Sequence, residues 1–283
     1  MAQPIRRKRT VKKNKPRFFG KWFLVVFSFF LLLIITIGIY KFRDGFLYYL
    51  GFKTDKYANE LSADERKLTD IRIYEVLHKH DNKAIGFDVS EYQSEIDWEQ
   101  TYHIDEAFEL SFVFIRSTAG KDKIDSKFKE NWKAAKERQL IRGAYHYYRP
   151  NENSIEQAEN FIKTVKLQKG DLPPVLDIEK LPKSQSIDSL KVGLRRWLNK
   201  VEKHYKVKPI IYSGESYYTD FLKAEFSEYP LWIANYNFWR NDLESDWQFW
   251  QFTEKAQIEG IKGMVDLNIF NGDKNKLLLK CIR

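Results

Sequence analysis

Pro174-Val175-Leu176-Asp177-Ile178-Glu179 is an apolar run that ends in two acids spaced i, i+2. On a β-strand successive side chains alternate faces, so Val175, Asp177 and Glu179 share one face while Leu176 and Ile178 take the other. Two residues of strand rise about 6.6 Å, which puts both carboxyls within reach of one small substrate group. Paired carboxyls at the mouth of a buried strand serve glycosidic bond cleavage. An acidic turn closing a core strand is the plainer alternative.

Outward from this stretch, short apolar runs alternate with helical patterns from Lys83 onward. Strands are expected at 85–90, 112–118, 142–148, 174–179, 209–213, 231–235, 247–253 and 265–270, with helices at 125–139, 153–167 and 186–205. Phe128, Trp132, Ala135 and Arg138 recur at helical spacing, as core packing requires. No convincing helical pattern lies between Asn235 and Trp247. Eight strands alternating with helices predict an α/β closed barrel with an irregular last third. A doubly wound open sheet is the alternative, unsupported by any Gly-x-Gly-x-x-Gly or phosphate loop.

In such a barrel a site forms at the C-terminal ends of the strands. In Ile85-Gly86-Phe87-Asp88-Val89-Ser90 the odd positions face the helices, leaving Gly86, Asp88 and Ser90 to point inward. An inward acid on a buried strand is costly unless it is paired or functional. Asp266 lies on the eighth strand, so four acids from three strands converge: Asp88, Asp177, Glu179 and Asp266.

The net charge of +9 is misleading as a cue for nucleic acid. Nine of the 48 Lys/Arg lie within residues 1–21, which hold no acid, so the remaining 39 bases face 39 acids. Without a basic stripe on the folded part, no nucleic-acid partner is expected. The single cysteine, Cys281, excludes an intrachain disulfide. His78-x-His80 reads as a solvated helix face rather than a metal site.

Trp22 to Tyr40 is 19 residues without a charge. As a helix it would span about 28 Å, close to the hydrocarbon thickness of a bilayer. Positive charge before it places the N-terminus in the cytoplasm and everything after Lys41 outside the cell membrane. A cleaved signal peptide is the competing reading, weakened by the length of the apolar run and the lack of a small-x-small site after Tyr40. The expected domains are therefore a basic cytoplasmic tail (1–21), a transmembrane signal anchor (22–40), a juxtamembrane stalk (41–83) and the barrel (84–283). In the stalk, Phe42, Phe46, Leu47, Tyr48, Tyr49, Leu50 and Phe52 form an aromatic-rich collar. Ser62-x-x-Glu65 is a capping box opening a helix to about His80. Its stripe of Leu68, Ile71, Tyr74 and Leu77 would dock on the barrel; a protein partner is the alternative.

These residues carry a resemblance. The chain is similar to glycoside hydrolase family 25, lysozymes acting as N-acetylmuramidases, through an ordered set of stretches over 84–276. They include Gly86-Phe87-Asp88-Val89-Ser90-Glu91-Tyr92-Gln93, Phe112-Val113-Phe114-Ile115-Arg116, Gly143-Ala144-Tyr145-His146-Tyr147 and Leu176-Asp177-Ile178-Glu179. Ile211-Tyr212, Leu231-Trp232-Ile233-Ala234-Asn235-Tyr236, Phe249-Trp250-Gln251-Phe252 and Gly263-Met264-Val265-Asp266-Leu267-Asn268-Ile269-Phe270 follow.

The resemblance implies a TIM-like β/α barrel with eight strands and fewer than eight outer helices. It implies cleavage of the β-1,4 bond between N-acetylmuramic acid and N-acetylglucosamine in peptidoglycan glycan strands, with no cofactor and no metal. Glu179 matches the family's general acid, and Asp88, Asp177 and Asp266 its other active-site carboxylates. Asp177 is expected to stay ionised. Tyr145, Tyr212, Trp232, Tyr236, Gln251 and Arg116 fall in motifs that line the sugar groove; for Tyr212 and Trp232 core packing is an equal alternative. Arg116 stands where the family usually has Lys, Phe87 where Ile is usual, and Ala119 where an acid is common. A catalytically weak peptidoglycan-binding or assembly module on the same membrane tether is the second class of function.

Overall fold

The computed structural model describes residues 19–54, 61–104, 107–244 and 246–283, with side chains for all of these except 19–21 and 44–54. The tail expected over 1–21 thus lies outside the described residues, apart from helix backbone at its end. The collar side chains beyond Phe42 lie outside them as well.

Helix α1, Phe19–Thr54, does not stop at Tyr40 but runs on through Lys41 and Arg43, since no proline interrupts it. Its segment Trp22–Arg43 is long and apolar enough to cross a membrane. Helix α2, Ala63–Lys79, begins at the expected capping box. Ser62 N donates to Glu65 Oε2 (3.0 Å) and Glu65 N to Ser62 Oγ (3.3 Å).

The barrel strands are β1 Ile85–Val89, β2 Phe108–Ala119, β3 Ile141–Tyr147, β4 Val175–Asp177, β5 Ile210–Gly214, β6 Leu231–Ala234, β7 Phe249–Ala256 and β8 Val265–Phe270. Neighbours pair in parallel from β1 to β7, and β8 closes the barrel by running antiparallel to both β7 and β1. Closure by an antiparallel strand needs only a short connection after β7, so no crossover helix is required there. The third to fifth helices, α3 Phe128–Glu137, α4 Ser154–Thr164 and α5 Ile187–Tyr205, follow β2, β3 and β4. A helical segment the sequence reading missed follows β5, made of short turns at Glu215–Tyr217, Tyr218–Leu222 and Lys223–Phe226. Its middle turn is π-helical, which breaks the 3.6-residue period that marks a helix in sequence.

Strand side chains sort into two layers as the alternation requires. Phe112, Phe114, Val175, Ile210, Tyr212, Trp232 and Phe249 fill the barrel. Phe87, Val89, Val113, Ile115, Leu176, Ile211, Ile233 and Trp250 pack outward with Phe161, Leu194 and Trp197 of the helices. Both faces are covered, so β1 is buried along its whole length. Gly86 sits where a Cβ would meet Phe112 O at 2.4 Å and the Phe112 ring at 2.5 Å. Because the obstacle includes backbone, Gly86→Ala is expected to cost about 1–3 kcal/mol, read as a lower urea midpoint with unchanged m-value.

The expected stripe of α2 is shifted. Leu68 and Leu77 are buried, but Ile71 and Tyr74 are exposed, and the buried face is Leu68, Thr69, Arg72, Ile73, Val76 and Leu77. A count of apolar positions passes over Arg72, which lies on that buried face against Trp250 of β7. His80 is likewise 3% exposed rather than solvated.

Candidate active site

The C-terminal ends of β1 and β4 and the start of antiparallel β8 bring the four expected carboxyls to one mouth of the barrel. Asp88 and Asp266 are direct register partners across β1 and β8. Asp88 is buried, and its Oδ2 accepts from Gln251 Nε2 (2.8 Å) and Asn268 Nδ2 (2.7 Å). Burial, reinforced by the charge of Glu179, pushes Asp88 up to about 6 against the two amide bonds. Asp177 ends β4, is 4% exposed, and its Oδ1 has no hydrogen-bond partner among the described residues. Burial first, then the charges of Glu179 and Asp88, holds its pKa well above the ordinary value. The expectation of an ionised Asp177 therefore does not describe the free cluster, in which desolvation favours the proton. Asp266 is half-buried and is pushed well up by burial and by Asp88 and Glu254.

β4 stops at Asp177, so Glu179 is not on the strand but two residues past it, and exposed. Ile178 still continues the strand's direction, its N donating to Tyr212 O at 3.0 Å. Asp177 is thereby fixed in the wall, while Glu179 is exposed beyond it yet near enough for its charge to act on Asp177 and Asp88, and the two acids meet different environments.

The other expected residues divide into two groups. Gln251 is a hub: its Oε1 accepts from Tyr212 Oη (2.7 Å) and from Tyr236 Oη, which leaves its amide NH₂ to face Asp88. Tyr145 is half-buried, edge-on to Trp232 at 6.2 Å, with its hydroxyl pKa raised by burial and by Asp88. Trp232 is 1% exposed and stacks on Phe114 at 4.3 Å, so it offers no face to a sugar. Its Nε1 donates to Asn268 Oδ1 (2.7 Å), which turns the Asn268 amide toward Asp88. Core packing is the right description of Trp232. Arg116 donates Nε to Asp125 Oδ2 (2.8 Å) and Nη2 to Glu91 Oε1 (3.0 Å), and lies 4.6 Å from the Tyr92 ring centroid. It braces the rim and holds up Tyr92, which is 79% exposed.

Asn268, Glu91 and Asp125 were not singled out from sequence. Asn268 lies two residues from Asp266 on the same strand face, and that i, i+2 relation is the signal that could have found it. Glu91, in a short 3-10 turn after β1, and Asp125, in a loop, act through Arg116, where no period announces them.

A family model described as Glycosyl hydrolases family 25 matches residues 87–261. A protein of Escherichia coli strain K12, named uncharacterized protein YegX, is 42% identical over 194 residues, covering 68% of this chain and 71% of that one. Lysozyme M1 of Streptomyces globisporus is 32% identical over 208 residues, covering 68% and 69%. Among solved structures, a family 25 glycosyl hydrolase from Bacillus anthracis superposes with a TM-score of 0.64 at 29% identity, covering 71% of this chain and 95% of that one.

Proposed function

The chain belongs to glycosyl hydrolases family 25 and is a glycoside hydrolase of lysozyme type, and on that premise we propose that it is a membrane-anchored muramidase. It cleaves the β-1,4 bond between N-acetylmuramic acid and N-acetylglucosamine in peptidoglycan close to its own membrane. The observation that carries this reading is the pair formed by buried Asp177, whose Oδ1 is unpartnered among the described residues, and exposed Glu179 two residues on.

In this mechanism Glu179 gives its proton to the glycosidic oxygen as the bond from that oxygen to the anomeric carbon breaks. The carbonyl oxygen of the muramic 2-acetamido group attacks the same carbon from the opposite face, and Asp177 Oδ1 accepts the acetamido N–H. Water then adds at the anomeric carbon, losing its proton to Glu179 and returning the electron pair to the acetamide. Asp88 and Asp266 share protons across the β1–β8 seam and keep the local charge low while Asp177 orients the substrate. Two displacements give net retention. Proton NMR of soluble glycan strands during digestion by the full chain is expected to show the β-anomer first. The α-anomer first would mean direct attack by water and overturn this route.

The anchor reading rests on segment Trp22–Arg43, whose large apolar side chains stand exposed along the helix and are stable only when covered by lipid. The N-terminus lies in the cytoplasm, and the barrel, which takes up residues 84–283, lies outside the membrane. Local wall remodelling, or opening a passage for a secretion or transfer machine, is the role such a tether suits. Intact-mass analysis of the membrane fraction should find the uncleaved chain; a product starting after residue 40 in the medium would make the segment a signal peptide.

A further inference from the structure

Helix α2 ends ahead of the family match, which starts at residue 87, and nothing in the proposed mechanism uses it. Yet it carries Arg72, which is fully buried. A guanidinium taken out of water costs several kcal/mol unless its surroundings compensate, so Arg72 is an expensive way to fill space. Its Nη1 donates to Asn241 Oδ1 (2.9 Å), and the guanidinium lies 5.6 Å from the Trp250 ring centroid. One residue past the helix, His80 holds the same asparagine from its other side: Nε2 is 2.9 Å from Asn241 O, and the ring meets Trp250 edge-on at 6.0 Å. A carbonyl only accepts, so Nε2 carries the hydrogen. Burial lowers the His80 pKa, keeping the ring neutral in that tautomer.

Asn241 lies in the connection between β6 and β7, where no helix is expected from sequence and none stands among the described residues. This connection starts at Asn235, whose carbonyl accepts from Trp250 Nε1 (3.0 Å), and its next residue is Tyr236. Tyr236 Oη donates to Gln251, which donates to Asp88. From α2 the links therefore run to Asn241, back along the connection through its own turn bonds (Arg240 N to Asn237 O, 3.0 Å; Asn237 N to Asn235 Oδ1, 2.8 Å) to Tyr236, and from there to a carboxyl at the barrel mouth.

We propose that α2 is part of the catalytic unit and that Arg72 is a positioning residue, holding the 235–241 connection so that Tyr236 and Gln251 stay set against Asp88. The proposal rests on reading the carboxyl cluster as the reactive centre. It makes the membrane-proximal segment a component of the active site's support rather than a spacer, and it places the start of the working domain near Ser62.

The test uses the full chain with Arg72→Met, Arg72→Lys, Asn241→Ala and the double variant Arg72→Met/Asn241→Ala, with Leu77→Ala as a packing control on the same helix. Turnover of soluble glycan strands and its pH profile are measured well below each melting temperature. Arg72→Met and Asn241→Ala should each lower kcat about 10- to 100-fold, since misplacement of a supporting group by about 1 Å has effects of that size. The double variant should be no worse than the poorer single, because both remove one link. Arg72→Lys should fall between wild type and Arg72→Met. The limb of the profile near pH 6 should move upward as Asp88 loses the Gln251 donor. Leu77→Ala should lower the melting temperature and leave that limb in place. Should Arg72→Met fail to fold, Asn241→Ala alone decides. Wild-type kcat and an unmoved limb in Asn241→Ala overturn the proposal, as does a limb that moves equally in Leu77→Ala. Failure of the site reading looks different: Glu179→Gln would then remain active, whatever the α2 variants do.

Discussion

Glu179→Gln should remove about 10²- to 10⁴-fold of kcat while leaving glycan binding nearly unchanged, the range expected when a positioned proton donor is lost. The substitution keeps the size of the side chain and its hydrogen-bonding capacity, and takes away only the transferable proton. Glu179 is exposed past the end of β4, and the substitution removes a charge that strains Asp177 and Asp88, so the melting temperature should not fall. Tight binding with no turnover is the expected pair of results, measured by calorimetry on soluble strands and by release of reducing ends. Near-normal turnover would take the acid role away from Glu179.

Asp177→Asn should also stop turnover, and it should make the protein more stable at pH 8. Asp177 has its folded-state pKa raised by burial and by the charge of Glu179, and Asp88 is raised from an ordinary 3.8 to about 6. A carboxyl raised in this way binds its proton more tightly folded than unfolded. Stability is therefore greatest when the pH is below the unfolded value and declines as pH rises through about 4 to 6 and beyond. Asparagine is never charged, so the variant should melt above wild type at pH 8, with the difference gone at pH 4. Glu91 works in the opposite sense and in another window. Its hydrogen bonds from Ser126 hold it at about 2, and the stability this confers is lost only as pH falls below 4.5 toward that value. A variant that melts below wild type at pH 8 would show that Asp177 is not a strained charge. The site trades stability for chemistry.

How much of this was readable beforehand depended on the kind of signal. Eight strands were found because each is a short apolar run with inward and outward sets, and the two core layers follow that alternation residue by residue. The capping box at Ser62 was readable because it is local. The four acids were readable because a carboxyl inside a barrel needs a reason. Arg72 was not, since a charged residue on a helix is ordinarily counted as solvent-facing, and only the tertiary structure shows what lies above it. Trp232 stayed open between sugar contact and core packing because strand alternation gives the inward face but not the depth, and at its level the barrel is already filled by Phe114. The end of β4 at Asp177 was missed for a related reason: alternation continues past the last ladder bond, so pattern alone does not separate a wall residue from one reaching over the rim.

Under the proposed anchoring, the barrel would work on glycan near its own membrane. Phe42 of α1 meets Trp239 edge-on at 6.0 Å, beside the connection that carries Tyr236.

The most direct measurement is digestion of purified peptidoglycan by the full chain in detergent, followed by reduction and mass analysis of the released fragments. Reduced N-acetylmuramic acid at the new ends, absent with Glu179→Gln, is the expected result. Reduced N-acetylglucosamine ends, or intact glycan after prolonged incubation, would contradict the muramidase reading.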